Sequence, residues 1–366
     1  MSKYNEFIPQ MRPLFGGEER AELMAYLDED GFFTEFKRTE AFERQIAEFT
    51  GARHCIVVNN GTVSLTLAAI ALDIGPGDEV IVPDYTMIAT PNSVKILGAQ
   101  PVFVDVDPAT LIMNLAATRA AITPKTRAII LVSANGRTPA CGIAPFEALA
   151  RETGVALIED AAQSLGSFYP DGRHIGRAGA IGSFSFSAPK IISTGQGGAL
   201  ITDDDALADK LRRLKDFGRA SGGTDVHDSI GYNFKFTELQ ACVGLAQMRQ
   251  LPARIKRKKE IWCMYAEGLA GIPGIQLFVH ELTLCTPWFI DCRADSRETL
   301  CAHLKAQGIG TRTMYPPIHQ QKAYDLPGHY PVAEGIGRNG LWLPSMIQLT
   351  NEQIYYITNV IKNFYS

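Results

Sequence analysis

The residue that most strongly suggests chemistry is a single lysine, Lys190, in the stretch SFSFSAPKIISTGQGGALITDD at residues 183–204. Aromatic, small and proline residues precede it, a glycine-rich turn follows it, and GALITDD then has the pattern of a strand. Burial among such neighbours lowers the pKa of a lysine ammonium, and the free amine can attack a carbonyl group. The alternative is a structural lysine whose stem packs at the end of a strand while its charge reaches water.

Polar residues also follow two other predicted strands. Asn60-Gly61-Thr62 precedes a predicted helix, where backbone N–H groups could bind a phosphate, or where Thr62 could simply cap the helix. Asp160 ends the strand VALIED, and its carboxylate could pair with a protonated ring nitrogen or cap a following helix. Gln163 could support that cap or reach the same pocket.

Two more polar segments complete the set. Ser185 lies five residues before Lys190, and Gly231-Tyr232-Asn233 leads into a long helical region, where it could also be a simple turn. Each feature alone has an ordinary structural explanation. Together, a phosphate site, an aspartate for a ring nitrogen and a lysine for an aldehyde are what pyridoxal phosphate (PLP) requires of a protein.

The elements that must position these residues alternate along the chain. Strands are predicted within 55–62, 79–83, 101–106, 127–133 and 155–160, and helices within 18–30, 40–51, 63–74, 86–97, 114–121 and 143–153. This alternation predicts an α/β fold with a mainly parallel sheet, in which ligands bind at the carboxyl ends of the strands. Residues 234–270 are predicted to form one or two helices that link a large unit, 1–250, to a smaller one, 251–366.

Composition excludes several classes of protein. The 366 residues are 46% hydrophobic and 20% charged with a net charge of −4, and no basic block indicates nucleic-acid binding. Seven scattered cysteines without a CxxC pair predict free thiols, with neither a disulfide scaffold nor a metal site. Neither a signal-length nor a membrane-length apolar run is present, so a cytoplasmic protein that does not bind membranes is expected.

The sequence resembles the DegT/DnrJ/EryC1/StrS family of nucleotide-sugar aminotransferases over nearly its whole length. The segments that carry the likeness are NNGTVSLTLAAIALDIGPGDEVIVP, PVFVDVDP, LIEDAAQSLGS, GSFSFSAPKIISTGQGGALITDD, IGYNFKFTELQACVGLAQM and YPPIHQQKAY. The resemblance implies a fold-type-I PLP-dependent transaminase, with a mostly parallel central sheet flanked by helices and a smaller C-terminal α+β domain.

The resemblance also implies a role for each matching residue. Lys190 would bind the cofactor's aldehyde as a Schiff base, Asp160 would pair with the pyridine nitrogen, and Gln163 would lie near the phenolic oxygen. The phosphate would be held by Gly61, Thr62 and Ser185, and by Asn233 of the neighbouring subunit, which implies a homodimer. His319 and Tyr315 match positions at the sugar-nucleotide site.

Three segments depart from the family pattern. Where relatives have a ring that stacks on the cofactor, this chain has Met87, with Tyr85 as a possible substitute. Residues 133–136 read SANG where relatives often have HLYG, and GFFTEFKR replaces a W-I-S-x-G-like stretch. Both of these segments lie near the substrate in the family, so the changes bear on which sugar is used.

The C-terminal pattern and KIISTGQGG look most like the perosamine-synthase type of the family. This likeness implies transfer of an amino group from L-glutamate to C4 of a GDP-linked 4-keto-6-deoxy sugar. The alternatives are an aminotransferase for a UDP- or dTDP-linked 3- or 4-keto sugar, a sugar dehydratase of the same fold, and an inactive regulatory paralogue. Dehydratases replace the lysine with histidine, and Lys190 therefore favours transamination.

Overall fold

A computed structural model describes residues 6–29, 31–220 and 224–366. Strands and helices alternate between residues 54 and 160, as predicted, and the next two strands follow without a helix between them. The strands are β1 His54–Val58, β2 Glu79–Pro83, β3 Gln100–Val104, β4 Thr126–Val132, β5 Ala156–Asp160, β6 Ile181–Ser185, β7 Gly198–Thr202, β8 Ile275–Leu277, β9 Ile290–Ala294, β10 Arg312–Thr313 and β11 Gly340–Leu343. The helices are α1 Gly17–Asp28, α2 Lys37–Thr50, α3 Gly61–Ala71, α4 Ala89–Lys95, α5 Leu115–Ala120, α6 Ala144–Thr153, α7 Asp205–Lys215, α8 Glu238–Gly268, α9 Arg297–Ala306, α10 Pro331–Asn339 and α11 Asn351–Tyr365.

The first seven strands form one sheet in the order β1-β7-β6-β5-β4-β2-β3. Only β7 runs against its neighbours, so the carboxyl ends of the other six strands lie at the same edge of the sheet. The segments after β1, β2, β4, β5 and β6 therefore meet at this edge. The predicted, mostly parallel α/β sheet is confirmed.

Both faces of this sheet are buried, which explains the nearly continuous apolar runs of its central strands. Along β4, Ile129 and Leu131 pack into one core cluster, whereas Ala128 and Ile130 pack into a second cluster on the opposite face. Alternate residues of a strand point to opposite faces, and helices cover both. The sheet is thereby held rigidly behind the segments at its carboxyl edge.

The C-terminal part forms a second, antiparallel sheet in the order β10-β11-β9-β8. The long α8 is a single helix that starts with a capping box, in which Thr237 and Gln240 bond each other's backbone N–H groups, and continues through Pro252. Since α8 crosses the 250/251 boundary, the chain passes between the two predicted units within a helix. The division into these two domains stays a prediction.

Two expectations from composition can be compared with the structure. All seven cysteines are free thiols, as predicted. Within the described ranges, no helix is both long and apolar enough to cross a membrane.

Candidate active site

A cavity of about 590 Å³ opens at the carboxyl edge of the large sheet. Its walls come from the segments that follow β1, β2, β5 and β6, and from two segments of the C-terminal part. The predicted residues that line it are Gly61, Thr62, Met87, Asp160, Gln163, Ser185, Lys190 and Tyr315. Residues that are far apart in the sequence therefore meet in one cavity, as the parallel topology predicts.

Lys190 lies in the turn that follows β6 and is partly buried. Its Nζ lies 4.2 Å from the centre of the Trp288 ring, whose Nε1 donates a hydrogen bond to the carbonyl of Pro189 at 2.7 Å. Burial lowers the pKa of Lys190 to about 8, Asp160 opposes this shift, and the positive charge of Arg312 adds to it. A lysine in this state supplies a free amine near neutral pH, as a nucleophile for a carbonyl group requires.

Asp160 ends β5 and is only 6% exposed. One carboxylate oxygen accepts the Thr90 hydroxyl at 2.8 Å, and the other accepts the N–H of Ala162 at 3.2 Å. Burial raises the pKa of Asp160 above its usual value, although these two bonds and the charge of Lys190 oppose the shift. Turns follow β5 in place of a helix, so Asp160 and Gln163 do not cap a helix, and that alternative is wrong.

The turn between β1 and α3 supplies backbone donors at the opposite wall of the cavity. Asn60 caps α3 through a 2.9 Å bond from the N–H of Val63, so the alternative of Thr62 as the cap is wrong. The N–H groups of Gly61 and Thr62 open the helix and have no intrahelical acceptor. A Cβ at Gly61 would lie only 2.7 Å from Cβ of Ser185, so glycine permits the close approach of this turn to Ser185.

Gln163 is held in one orientation by the segment that follows β4. Its Oε1 accepts the backbone N–H of Asn135 at 2.6 Å. Because a backbone N–H can only donate, the side-chain amide of Gln163 must keep its NH₂ group for other partners. Gln163 therefore brings a hydrogen-bond donor to the cavity wall.

Comparisons with known proteins identify the family of this chain. A family model described as the DegT/DnrJ/EryC1/StrS aminotransferase family matches residues 15–362. The chain belongs to the DegT/DnrJ/EryC1/StrS aminotransferase family. It is 36% identical to the GDP-perosamine synthase of Escherichia coli O157:H7 over 365 residues, 99% of each chain, and 35% identical to that of Caulobacter vibrioides over 351 residues, 93% of this chain and 94% of the other.

A solved structure extends the likeness to the fold. S. venezuelae DesV, solved in complex with a ketimine intermediate, superposes with a TM-score of 0.90 at 33% identity, covering 97% of this chain and 99% of DesV. As a DegT/DnrJ/EryC1/StrS protein with this fold, the chain is a PLP-dependent sugar aminotransferase of fold type I. The predictions of family, fold class, enzyme class and cofactor are confirmed.

The residues present fit PLP, which brings a phosphate, a ring nitrogen and an aldehyde to its site. On one wall, the turn that starts at Gly61 lies against Ser185 and would offer backbone N–H and hydroxyl donors to the phosphate. A buried carboxylate, Asp160, and a partly buried lysine, Lys190, line the same cavity. The cavity therefore has matching chemistry for all three groups.

Two residues of the predicted site lie off the wall of this cavity. His319 is buried, and its Nδ1 lies 2.7 Å from Oδ2 of Asp84, whose other oxygen accepts the His319 backbone N–H at 2.8 Å. Asn233 is exposed and pairs with Asp216 in an isolated bridge. The fold of the single chain thus brings neither side chain to the wall of the Lys190 cavity, and their roles stay predictions.

Met87 and Tyr85, the two candidates for the residue that would cover the cofactor ring, lie in different places. Met87 lies on the cavity wall and is 45% exposed, whereas Tyr85 is buried against Tyr315, with ring centres 5.8 Å apart. Of the two, Met87 is the side chain that a bound ring would meet first. The SANG segment leads into a buried ion pair between Arg137 and Asp291 at 2.7 Å, which ties this segment to β9.

Among the cavity residues that sequence reasoning missed are Thr90, Trp288 and Arg312. Thr90 lies three residues after Met87, in the segment that follows β2, and bonds Asp160, so its position after a strand end was an available signal. Trp288 and Arg312 come from the C-terminal part. Arg312 lies over the Trp342 ring at 5.4 Å, and no local pattern marks either residue.

Proposed function

We propose that this enzyme transfers an amino group from L-glutamate to C4 of a GDP-linked 4-keto-6-deoxy sugar. The observation that carries the proposal is one cavity containing Lys190 and Asp160, in a chain 33–36% identical to three such synthases over 93–99% of its length.

The side chains would divide the chemistry among them. PLP, when bound, supplies an electron sink that stabilises negative charge at the carbon that loses a proton. Asp160 would hold the ring nitrogen protonated, and Gly61, Thr62 and Ser185 would bind the phosphate. Lys190 would bind the aldehyde carbon, and its amine, once displaced by the donor, would take the proton from the donor's α-carbon.

The charges in the cavity support a proposal for where glutamate, the amino donor, binds. Arg312 is an arginine on the wall near Lys190, where its positive charge lowers the pKa of the lysine. A planar guanidinium binds a carboxylate with two parallel hydrogen bonds. We assign Arg312 to a carboxylate of the glutamate donor, with Tyr315 on the neighbouring wall for the sugar.

The test is a panel of GDP-, UDP- and dTDP-linked 4-keto-6-deoxy sugars and 3-keto sugars, incubated with glutamate and analysed by mass spectrometry. We expect an aminated product from the GDP-linked 4-keto sugar, at the highest kcat/KM of the panel. A better UDP or dTDP substrate would contradict the nucleotide assignment. A dehydrated product would indicate a dehydratase, and no product with any sugar would favour a regulatory protein. Lys190→Ala, which should fold normally, is the control for background reaction.

The enzyme is proposed to act as a homodimer in which Asn233 reaches the cofactor of the neighbouring subunit. Asn233 is exposed, and two apolar side chains are exposed as well: Ile230, three residues earlier, at 84%, and Phe33, whose carbonyl accepts the N–H of Glu238, at 56%. The two segments are joined by a bridge between Thr34 and Thr237. A cluster of exposed apolar side chains is a common mark of a subunit interface.

Subunit complementation tests this arrangement. Lys190→Ala and Asn233→Ala should each inactivate the homodimer, whereas a mixed dimer would have one site with both changes and one with neither. Random pairing of equal amounts should then recover about a quarter of wild-type activity, since half of the dimers are mixed and each has one intact site. If Asn233 served its own subunit, no mixed site would be intact and activity would not recover. Ile230→Asp should yield monomers, and Val279→Asp, at a position 74% exposed elsewhere, should not.

A further inference from the structure

Behind Asp160 lies a chain of two hydroxyl groups, from Thr86 to Thr90. We propose that Thr90 is a positioning residue that holds the Asp160 carboxylate ionised and aimed at the cofactor, and that Thr86 orients Thr90. This inference rests on the role of Asp160 under the proposed function.

The geometry fixes the direction of the hydrogen bonds. The Thr90 hydroxyl lies 2.8 Å from Oδ2 of Asp160 and 2.9 Å from the hydroxyl of Thr86. An ionised carboxylate can only accept, so Thr90 must donate to Asp160. A hydroxyl has one hydrogen, and Thr90 must therefore accept from Thr86. The chain runs Thr86 to Thr90 to Asp160 only while Asp160 is ionised, and a protonated Asp160 that donates to Thr90 would reverse it.

Local structure places the two hydroxyls together. Thr86 lies three residues before α4 and Thr90 lies in its first turn, and the N–H of Thr90 bonds the carbonyl of Met87 at 3.0 Å. Thr90 is fully buried and Thr86 is 2% exposed, and both contribute to the cavity wall. With no exposed surface of its own, the Thr90 hydroxyl has Asp160 and Thr86 as its hydrogen-bond partners.

Thr90 matters because Lys190, which also stabilises the negative charge of Asp160, does not keep a constant charge. Lys190 and Tyr315 are the titratable side chains that interact with Asp160. The support from Lys190 requires a protonated amine, yet Lys190 must lose its proton to act as a nucleophile. Glu159 does not face this site, since it accepts bonds from Tyr169 and from the N–H groups of residues 176, 178 and 179. The bonds from Thr90 and from the Ala162 N–H are independent of the charge on Lys190.

The experiment compares Thr90→Val, which removes the hydroxyl at nearly constant size, with Thr90→Ser, which keeps it. PLP affinity is measured by titrating the apoprotein through its intrinsic fluorescence. Because a hydrogen bond to a charged group contributes more than a neutral one, Thr90→Val should weaken PLP binding about tenfold to a hundredfold. Thr90→Ser should stay close to wild type, and the pH profile of kcat should shift only in the valine variant.

Controls separate this inference from the proposed function. In an Asp160→Asn background, adding Thr90→Val should cause no further loss of affinity, because the charge that Thr90 supports is gone. If Asp160→Asn binds PLP as tightly as wild type does, the role of Asp160 itself is wrong. If Asp160→Asn weakens binding but Thr90→Val does not, or if serine fails as badly as valine, the inference about Thr90 is overturned.

A substitution at a second residue, Thr86, tests the inference if the Thr90 variant does not fold. Should Thr90→Val fail to give folded protein, Thr86→Val carries the test, since it removes the hydroxyl that Thr90 accepts from. It should weaken PLP binding in the same direction by a smaller factor, with an unchanged midpoint of urea unfolding. An affinity equal to that of wild type in Thr86→Val would then overturn the hydroxyl chain.

Discussion

The amine of Lys190 should react with aldehydes at a pH where an ordinary lysine is almost wholly protonated. Burial lowers its pKa from 10.5 to about 8. At pH 7 about one amine in ten would then be unprotonated, against about one in three thousand at the ordinary pKa, because each pKa unit changes this ratio tenfold. The structure therefore predicts about a three-hundredfold gain in reactive amine.

The assay is the rate at which apoprotein captures PLP as a function of pH. Growth of the visible absorbance band gives the rate, and borohydride reduction followed by peptide mass spectrometry identifies the modified lysine. The rate at Lys190 should rise with pH, with a midpoint near pH 8, and level off above about pH 9, and Lys190→Ala should lose the band. A rate that keeps rising past about pH 10 would refute the argument from burial.

Two matched variants test the causes of the shift by moving it in opposite directions. Asp160→Asn removes the negative charge that raises the pKa of Lys190, so the midpoint of the pH profile should fall below that of wild type. Arg312→Gln removes the positive charge that lowers it, so the midpoint should rise. The midpoint is compared, since both variants also change affinity. Shifts in the same direction would contradict the electrostatic account.

Two further predictions concern how the site is built. Gly61→Ala would place a Cβ 2.7 Å from Cβ of Ser185 and should cost about 1–3 kcal/mol in urea unfolding, with weaker PLP binding, whereas Gly75→Ala, which meets no atom within 4 Å, should do neither. Equal effects of the two alanine substitutions would contradict the requirement for glycine beside Ser185. Arg137→Met should cost about 3–5 kcal/mol because it leaves Asp291 buried without its partner. Adding Asp291→Leu should restore part of that stability, and no recovery would argue against an uncompensated charge.

Asp160, Ser185 and Lys190 could be predicted from the sequence because their place in the fold depends on local sequence pattern. Asp160 and Ser185 each end a short strand, and Lys190 follows in a turn. Parallel strands bring their carboxyl ends to one edge, so residues at these ends meet whatever the details of packing. The prediction of the residue that caps α3 failed because two neighbouring residues, Asn60 and Thr62, both have side chains that can cap a helix. Asn60, with its extended backbone, caps α3 in place of Thr62.

The sequence by itself determined the alternation of strands and helices, the chemistry at the strand ends and the family. Only the tertiary structure decided that Trp288 lies over Lys190 and that Arg312 shares its cavity. Both residues come from loops and a two-residue strand whose position depends on how the second sheet packs beside the first. Periodicity reports which face of an element is buried, but it carries no information on which distant loop will complete a site.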